Sequence, residues 1–237
     1  MEFEEQYISG IATPILIPKR YKIIGVVNGK VFYTDQETGK TLEDEPLFIH
    51  NESKIFLRSW KGQFPNDSVI VLLLNQQNNI YVHQRSPAKK WEPNKIDLAS
   101  IAGQRRAILY NDKFENEDIN ETALREINEE TFILIERLKQ KNIYQLGTHY
   151  NPHTKEYQEI FVFNIDLSLQ ELNRNIEQNK SEEVTQWFEQ GYEQTMEEYF
   201  GDKVEKYAGG AQMRPVNFIS NPTIRTRLDD LIKSRKF

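Results

Sequence analysis

The sequence predicts an α/β fold, a mixed β-sheet held between helices and preceded by a β-rich N-terminal segment. Three observations carry that expectation. Short β-prone apolar runs separated by turn signals fill the N-terminal quarter of the chain. Two apolar strands follow from Ser68, and beyond residue 118 helical periodicity alternates with further strands. The 237 residues suit one large domain, or a main domain with a smaller companion, and a 38% hydrophobic content is enough for a packed core. We divide the chain into residues 1–66, the β-rich segment, and 67–237, the main domain.

The elements follow in order. IATPILI, YKIIGVV, KVFYTD, PLFIH and KIFLRSW read as strands between Tyr7 and Phe64, and Asn28-Gly29 is a hairpin turn. Ser68–Asn75 and Asn79–Gln84 form a second hairpin around the polar Gln76-Gln77-Asn78. A Lys- and Pro-rich loop runs from Ser86 to Lys95, and a strand Ile96–Ala102 ends at Gly103. Gln104–Asn116 reads as irregular. A helix is expected from Ile119 to about Gln140, with Leu124, Ile127 and Phe132 on its apolar side and Asp118 or Asn120 as its cap. Strands at Ile143–Tyr150 and Glu159–Asp166 come next, then helices near Ser168–Gln178, Glu189–Phe200 and Ile224–Ser234.

Composition removes several function classes. Acidic residues outnumber basic ones by 36 to 30, for a net charge of −6, which argues against a coat for nucleic acid. An anionic substrate remains compatible, because a bound divalent cation supplies positive charge locally. With no cysteine in the chain, disulfides, thiolate metal sites and cysteine nucleophiles are excluded. The acidic opening MEFEEQYISG carries no secretory signal, and no apolar run reaches membrane-spanning length, so a cytoplasmic protein is expected.

The segment EDINETALREINEETFI, residues 117–133, carries the chemistry. Glu126, Glu129 and Glu130 fall at i, i+3 and i+4, so a helix sets three carboxylates on one face. Each such like-charge pair costs roughly 0.2–0.5 kcal/mol on a helix. A hard divalent cation such as Mg²⁺, which prefers carboxylate and water oxygens, reverses that sign. Arg125 lies four residues after Glu121 and four before Glu129, where it offsets part of the charge. For an arbitrary glutamate triple a solvated face is the usual outcome; the wider pattern changes that. The run Arg125-Glu126-Ile127-Asn128-Glu129-Glu130, with Glu117 eight positions before the arginine and Ile133 after it, resembles the Nudix box, G-x5-E-x7-R-E-U-x-E-E-x-G-U with U a bulky aliphatic residue. Strand order from Ser68 onward and the acidic stretch Ser181–Phe188 are similar to the Nudix hydrolase family as well.

Two positions depart from the box. Its first glycine falls at Asn111, while the nearest plausible glycine is Gly103, so Gln104–Asn116 contains an insertion of eight residues. The second glycine, which ends the helix in a left-handed conformation, is replaced by Phe132, and the helix is expected to run on through Ile133–Leu138.

The resemblance implies a Nudix-like α/β/α sandwich and a pyrophosphohydrolase. It makes Glu126, Glu129 and Glu130, supplemented by Glu117, the ligands of Mg²⁺, with Mn²⁺ as an alternative ion. Glu130 is the first choice of general base, Glu182 or Glu183 the distal one, with Glu129 and Arg125 completing the catalytic set. Arg85, Lys89, Lys90 and Arg105, with Arg106, are candidates for the phosphates of a small-molecule diphosphate. Trp91 either stacks on a base or covers the core; His83 reads as structural, and His149 and His153 sit near a turn. QRSPAKKWEPNKIDLASIAGQ is similar to the isopentenyl-diphosphate isomerase branch, matching its arginine, lysine and proline at Arg85, Lys89 and Pro93. That branch's cysteine and histidine are here Ala102 and Gln104, so hydrolysis rather than isomerisation is implied. A nucleotide sugar such as ADP-ribose is the substrate named first, while nucleoside triphosphates, dinucleoside polyphosphates and isoprenoid diphosphates also place a pyrophosphate over such a helix. A non-catalytic ligand-binding domain is the alternative, and a homodimer is compatible with the family.

Overall fold

The structure, a computed structural model, describes residues 1–138 and 143–234. In chain order the strands are β1 (Phe3–Gln6), β2 (Ile15–Pro18), β3 (Tyr21–Val27), β4 (Lys30–Asp35), β5 (Thr41–Asp44), β6 (Pro46–Phe48), β7 (Ile55–Leu57), β8 (Asn66–Leu74), β9 (Asn79–Arg85), β10 (Ile96–Asp97), β11 (Ile101–Gln104), β12 (Ala107–Tyr110) and β13 (Lys113–Asn116). Helices α1 (Ile119–Thr131) and α2 (Ile135–Leu138) follow, then β14 (Ile143–Asn151), β15 (Glu156–Asn164), α3 (Leu169–Asn179), β16 (Val184–Gly191), α4 (Tyr192–Phe200), α5 (Gly210–Met213) and α6 (Pro222–Ser234). Two compact units result. The first comprises Met1–Ser68, Gln104–Thr122 and Pro152–Tyr157; the second comprises Val69–Gly103, Ala123–Asn151 and Gln158–Phe237. Among the described residues no helix is long and apolar enough to cross a membrane.

In the first unit, β1-β2-β7-β6 form one sheet, with β2 and β7 parallel, and β3-β4-β5 form a meander. Asn28 and Gly29 turn the meander's first hairpin with φ of 51° and 76°, the conformation a two-residue turn between twisted strands requires. Gln104–Asn116 is not irregular: β12 and β13 pair antiparallel around Asn111 and Asp112, with φ of 46° and 60°. Ala107 and Phe114 from this hairpin join Ile15, Ile17, Val31, Tyr33, Ile55 and Leu57 in one apolar core. The polar strands β1 and β5 have no apolar alternation to betray them in sequence; their partners β2 and β4 supply the burial.

The second unit is an α/β sandwich. Its sheet runs β10-β9-β8-β15-β14, with β16 added on β9 and β11 on β8. Alternate residues of the strands, Ile70, Leu72, Leu74, Ile80, Val82, Ile160 and Val162, face a core closed by Met196 and Tyr199 of α4 and by Ile224 and Leu228 of α6. Tyr81, His83 and Trp187 occupy the opposite, α3-covered face. There the Asn173 amide accepts from the Trp187 N–H at 2.8 Å and donates to its carbonyl at 3.2 Å. Asn175 of α3 donates to the Thr131 carbonyl at the end of α1, so α1 and α3 share that side.

Among the expected elements whose boundaries change, three show the physical reason. The strand expected over Ile96–Ala102 is two pieces, because Ser100 leaves the ladder. Its hydroxyl accepts from the Leu73 N–H at 2.9 Å and donates to the Tyr81 carbonyl at 2.5 Å, replacing backbone groups. The helix expected from Glu189 starts at Tyr192, since β16 continues to Gly191 along β9. The glutamate helix stops at Thr131 instead of running on. Phe132 takes the left-handed φ of 58° that glycine takes in the box. A non-glycine residue there costs roughly 1–2 kcal/mol. Offsetting it, the Asn128 amide donates to the Ile133 carbonyl at 2.7 Å and the Ile133 side chain is buried. The end expected at Gln140 lies outside the described residues.

Candidate active site

Asp118 starts the helix that bears the glutamates. Its carboxylate accepts from the N–H groups of Asn120 at 2.8 Å and Glu121 at 3.3 Å, satisfying donors that the first turn leaves open. Ala123, Leu124 and Ile127 form the buried stripe of α1. Arg125, Glu126, Glu129 and Glu130 occupy the remaining positions. Arg125 reaches Glu126 at 2.5 Å and Glu129 at 3.3 Å, so one guanidinium holds two carboxylates. Gly103 gives Glu126 its room: a Cβ built there would overlap the Glu126 carboxyl group.

Glu130 is buried, and its carboxyl accepts a backbone hydrogen bond from Ala102. Burial drives its pKa well above the ordinary carboxylate value, and the negative charges of Glu183, Glu126 and Asp97 push it further in the same direction. It lines a small polar cavity of about 60 Å³ with His83, Arg85, Lys89, Asp97, Ala99, Ala102 and Glu183. Two cations therefore share a cavity with three carboxyl groups. Lys89 pairs with Glu183 at 2.9 Å and Arg85 with Asp97 at 2.8 Å. The His83 Nδ1 lies 2.9 Å from the Ser100 carbonyl and donates to it, which leaves Nε2 as the acceptor; burial lowers the imidazole pKa and keeps the ring neutral.

Of the residues expected in the site, Arg85, Lys89 and Glu130 line this cavity together, and Glu126 and Glu129 meet at Arg125. Lys90 is exposed and outside the lining. Glu117 and Arg105 belong to the first unit. There the Glu117 carboxylate accepts from the Thr122 hydroxyl at 2.9 Å, and Arg105 donates to the Glu117 carbonyl and pairs with Asp67 at 3.3 Å. Arg106 pairs with Glu45 at 3.5 Å. His149 bonds the Val216 carbonyl at 2.8 Å. Sequence reasoning missed Asp97 and gave His83 no part. The i, i+2 spacing of His83 and Arg85 on one strand was the available signal, because it puts both on one face.

Among the described residues, no group of three or more acidic or histidine side chains is gathered closely enough to hold a metal ion. The donor chemistry nevertheless fits a hard divalent cation. The groups are all carboxylates, they crowd around a buried member whose ionisation their charges oppose, and the floor beside Glu126 is a glycine. A larger groove of about 480 Å³, lined by Asn78, Asn79, Tyr192, Asp229 and Lys233 among others, lies away from this set.

The NUDIX domain family model matches residues 64–200, more than half of the chain. The chain belongs to the Nudix family. That membership makes it a hydrolase of phosphoric anhydride bonds, in a family that generally uses divalent metal ions. No curated protein matches it. Among solved structures, the crystal structure of DR0079 from Deinococcus radiodurans is similar at 15% identity and a TM-score of 0.45, covering 65% of this chain and 85% of that one. The MutT protein from Methanosarcina mazei Go1 gives 16% and 0.38, covering 72% and 95%. The solution structure of DR0079, described as a hypothetical Nudix protein, gives 17% and 0.40, covering 83% and 98%. The family assignment rests on the match over residues 64–200, and nothing in these likenesses bears on the isoprenoid-diphosphate branch.

Proposed function

We propose that the chain is a Mg²⁺- or Mn²⁺-dependent pyrophosphohydrolase of nucleoside-diphosphate-linked compounds, nucleotide sugars such as ADP-ribose among them. One observation carries the reading. The buried Glu130 shares its cavity with Asp97 and Glu183 and feels the charge of Glu126, while Arg85 and Lys89 line the same space. Carboxylates in such company are costly unless a cation joins them.

In this reading Glu126, Glu129 and Glu130 hold the ion. Held there, the ion would offset charge developing on the phosphoryl oxygens and would make the attacking water more acidic. Arg125 keeps Glu126 and Glu129 oriented. Glu130 accepts the proton of the attacking water as the new P–O bond forms and the anhydride P–O bond breaks, and the departing phosphate takes the bonding pair. To act as the base Glu130 must be ionised, and a cation held among these carboxylates would favour that form over the protonated one that burial alone favours. Lys89 lines the cavity, where releasing Glu183 would free it for a substrate phosphate.

The test is cleavage of a panel of nucleoside-diphosphate-linked compounds to nucleoside monophosphate, read as the phosphate that an added phosphomonoesterase then frees, with and without Mg²⁺. Glu129→Gln and Glu130→Gln are each expected to lower kcat by about 10²-fold or more with the fold retained, the range for loss of a general base or metal ligand. Full activity of both variants, or turnover undiminished by a chelator, would overturn the proposal.

A further inference from the structure

Trp91 is half exposed, at 50% of its surface, and stands outside the apolar core of its unit. Single exposed aromatics are ordinary on protein surfaces. What separates this one is how firmly it is held. The Arg85 guanidinium lies 5.2 Å from the ring centroid, and the same group donates to the Trp91 carbonyl at 3.1 and 3.3 Å and to Asp97 at 2.8 Å. Arg85 is thus spent on fixing the tryptophan and the wall of the cavity that contains Glu130.

The loop backbone is held as tightly. Arg85 N–H donates to the Lys95 carbonyl at 2.9 Å, Asn94 N–H to the Arg85 carbonyl at 3.1 Å, and the Gln84 amide to the Asn94 carbonyl at 3.0 Å. Glu92 and Asn94 adopt positive φ of 46° and 65°, conformations that persist only where surroundings impose them. Below the ring edge lies Gly209, where a Cβ would come within 3.6 Å of the Trp91 Cη2. That segment is itself tied to β10 by Ala208 N–H donating to the Ile96 carbonyl at 2.7 Å.

We propose that Trp91 is the stacking platform for the nucleobase of the substrate, fixed by Arg85 as a positioning residue. This rests on the reading of the chain as a hydrolase of nucleoside-diphosphate compounds, and it names the group that recognises the nucleoside. An aromatic face offers stacking to any base, so recognition is tolerant among bases and selects nucleosides over diphosphates that lack one. The guanidinium under the ring completes the stack.

The experiment measures binding of ADP and of inorganic pyrophosphate to the full chain in Mg²⁺, by calorimetry and by quenching of tryptophan emission. Trp91→Ala is expected to weaken ADP about five- to hundred-fold, the measured range for loss of one base–aromatic stack. Trp91→Phe retains a ring and should recover most of that loss, while pyrophosphate affinity shifts less than about twofold in both. ADP affinity unchanged in Trp91→Ala, alongside normal pyrophosphate binding, overturns the platform and leaves the hydrolase reading intact. Wild-type protein that binds neither probe overturns both.

Discussion

Gly103→Ala tests the carboxylate helix without touching a carboxylate. The added Cβ would fall on the Glu126 carboxyl group, and the clashing atoms are the far end of a flexible side chain rather than backbone. Glu126 therefore swings aside and the fold survives. A Gly→Ala change at a compatible backbone gains about 0.4–1 kcal/mol through the unfolded state, which offsets part of the disturbed pairing with Arg125. Net stability is expected to move by no more than about 1 kcal/mol, or roughly 2–4 °C in Tm for a chain of this size. The proposed metal site has no such compensation. Displacing one of its carboxylates should raise the Mg²⁺ concentration for half-maximal hydrolysis by about 10- to 100-fold, as loss of orienting groups does elsewhere. The assay is a Mg²⁺ titration of nucleoside monophosphate formation beside thermal unfolding of the same samples. In a Glu126→Ala background the second substitution has nothing left to displace and should cost nothing further. A Mg²⁺ midpoint within twofold of wild type, with Tm unchanged, would refute the argument.

Three further outcomes follow from particular contacts. Glu130→Gln removes a buried carboxylate whose raised pKa makes its folded-state ionisation costly, a cost that grows as pH rises above its ordinary value of 4.5. In chelator at neutral pH the variant should melt about 2–4 °C higher than wild type, on the order of 1 kcal/mol, and gain less from added Mg²⁺; a lower melting point counts against it. His83 titrates below its ordinary 6.5. The unfolded chain then takes up a proton near that pH that the folded chain refuses. The stability His83 contributes is full above about pH 6.5 and is lost as pH falls, by up to about 1.4 kcal/mol per pH unit. Urea unfolding at pH 7.5 and 5.5 should show a smaller drop for His83→Gln, and equal drops would dismiss the idea. Asn128→Ala deletes the amide that satisfies the Ile133 carbonyl after the left-handed Phe132 and should cost about 1 kcal/mol; a calorimetric Tm within 1 °C of wild type would show the cap to be idle.

The glutamate helix was legible because charge spacing at i, i+3 and i+4 and an acidic cap are local signals, and local hydrogen bonds from Asp118 carry them out. Its end was not legible. A phenylalanine is a poor candidate for left-handed backbone, and the Asn128 side chain folded back over the turn, with the burial of Ile133, offsets that conformation. The hairpin at Asn111-Asp112 went unread although both residues favour positive φ, because the strands beside it are short and half polar. Asp97 could not be singled out, since its place beside Arg85 depends on the pairing of β10 with β9. The cavity was half visible: its cations stand in one loop and strand, while Glu183 arrives by the register of β16 on β9.

The composition of the first unit from three separate stretches has a consequence for synthesis. A ribosome delivers the chain from its N-terminus, and domains made of one contiguous stretch can close as they emerge. This unit cannot. Its apolar interior awaits Ala107 and Phe114, and its last piece, Pro152–Tyr157, is translated only after the carboxylate helix has been made. The sheets β1-β2-β7-β6 and β3-β4-β5 lie wholly within Met1–Ser68 and can pair early, but the apolar core they line stays open until Ala107 and Phe114 arrive.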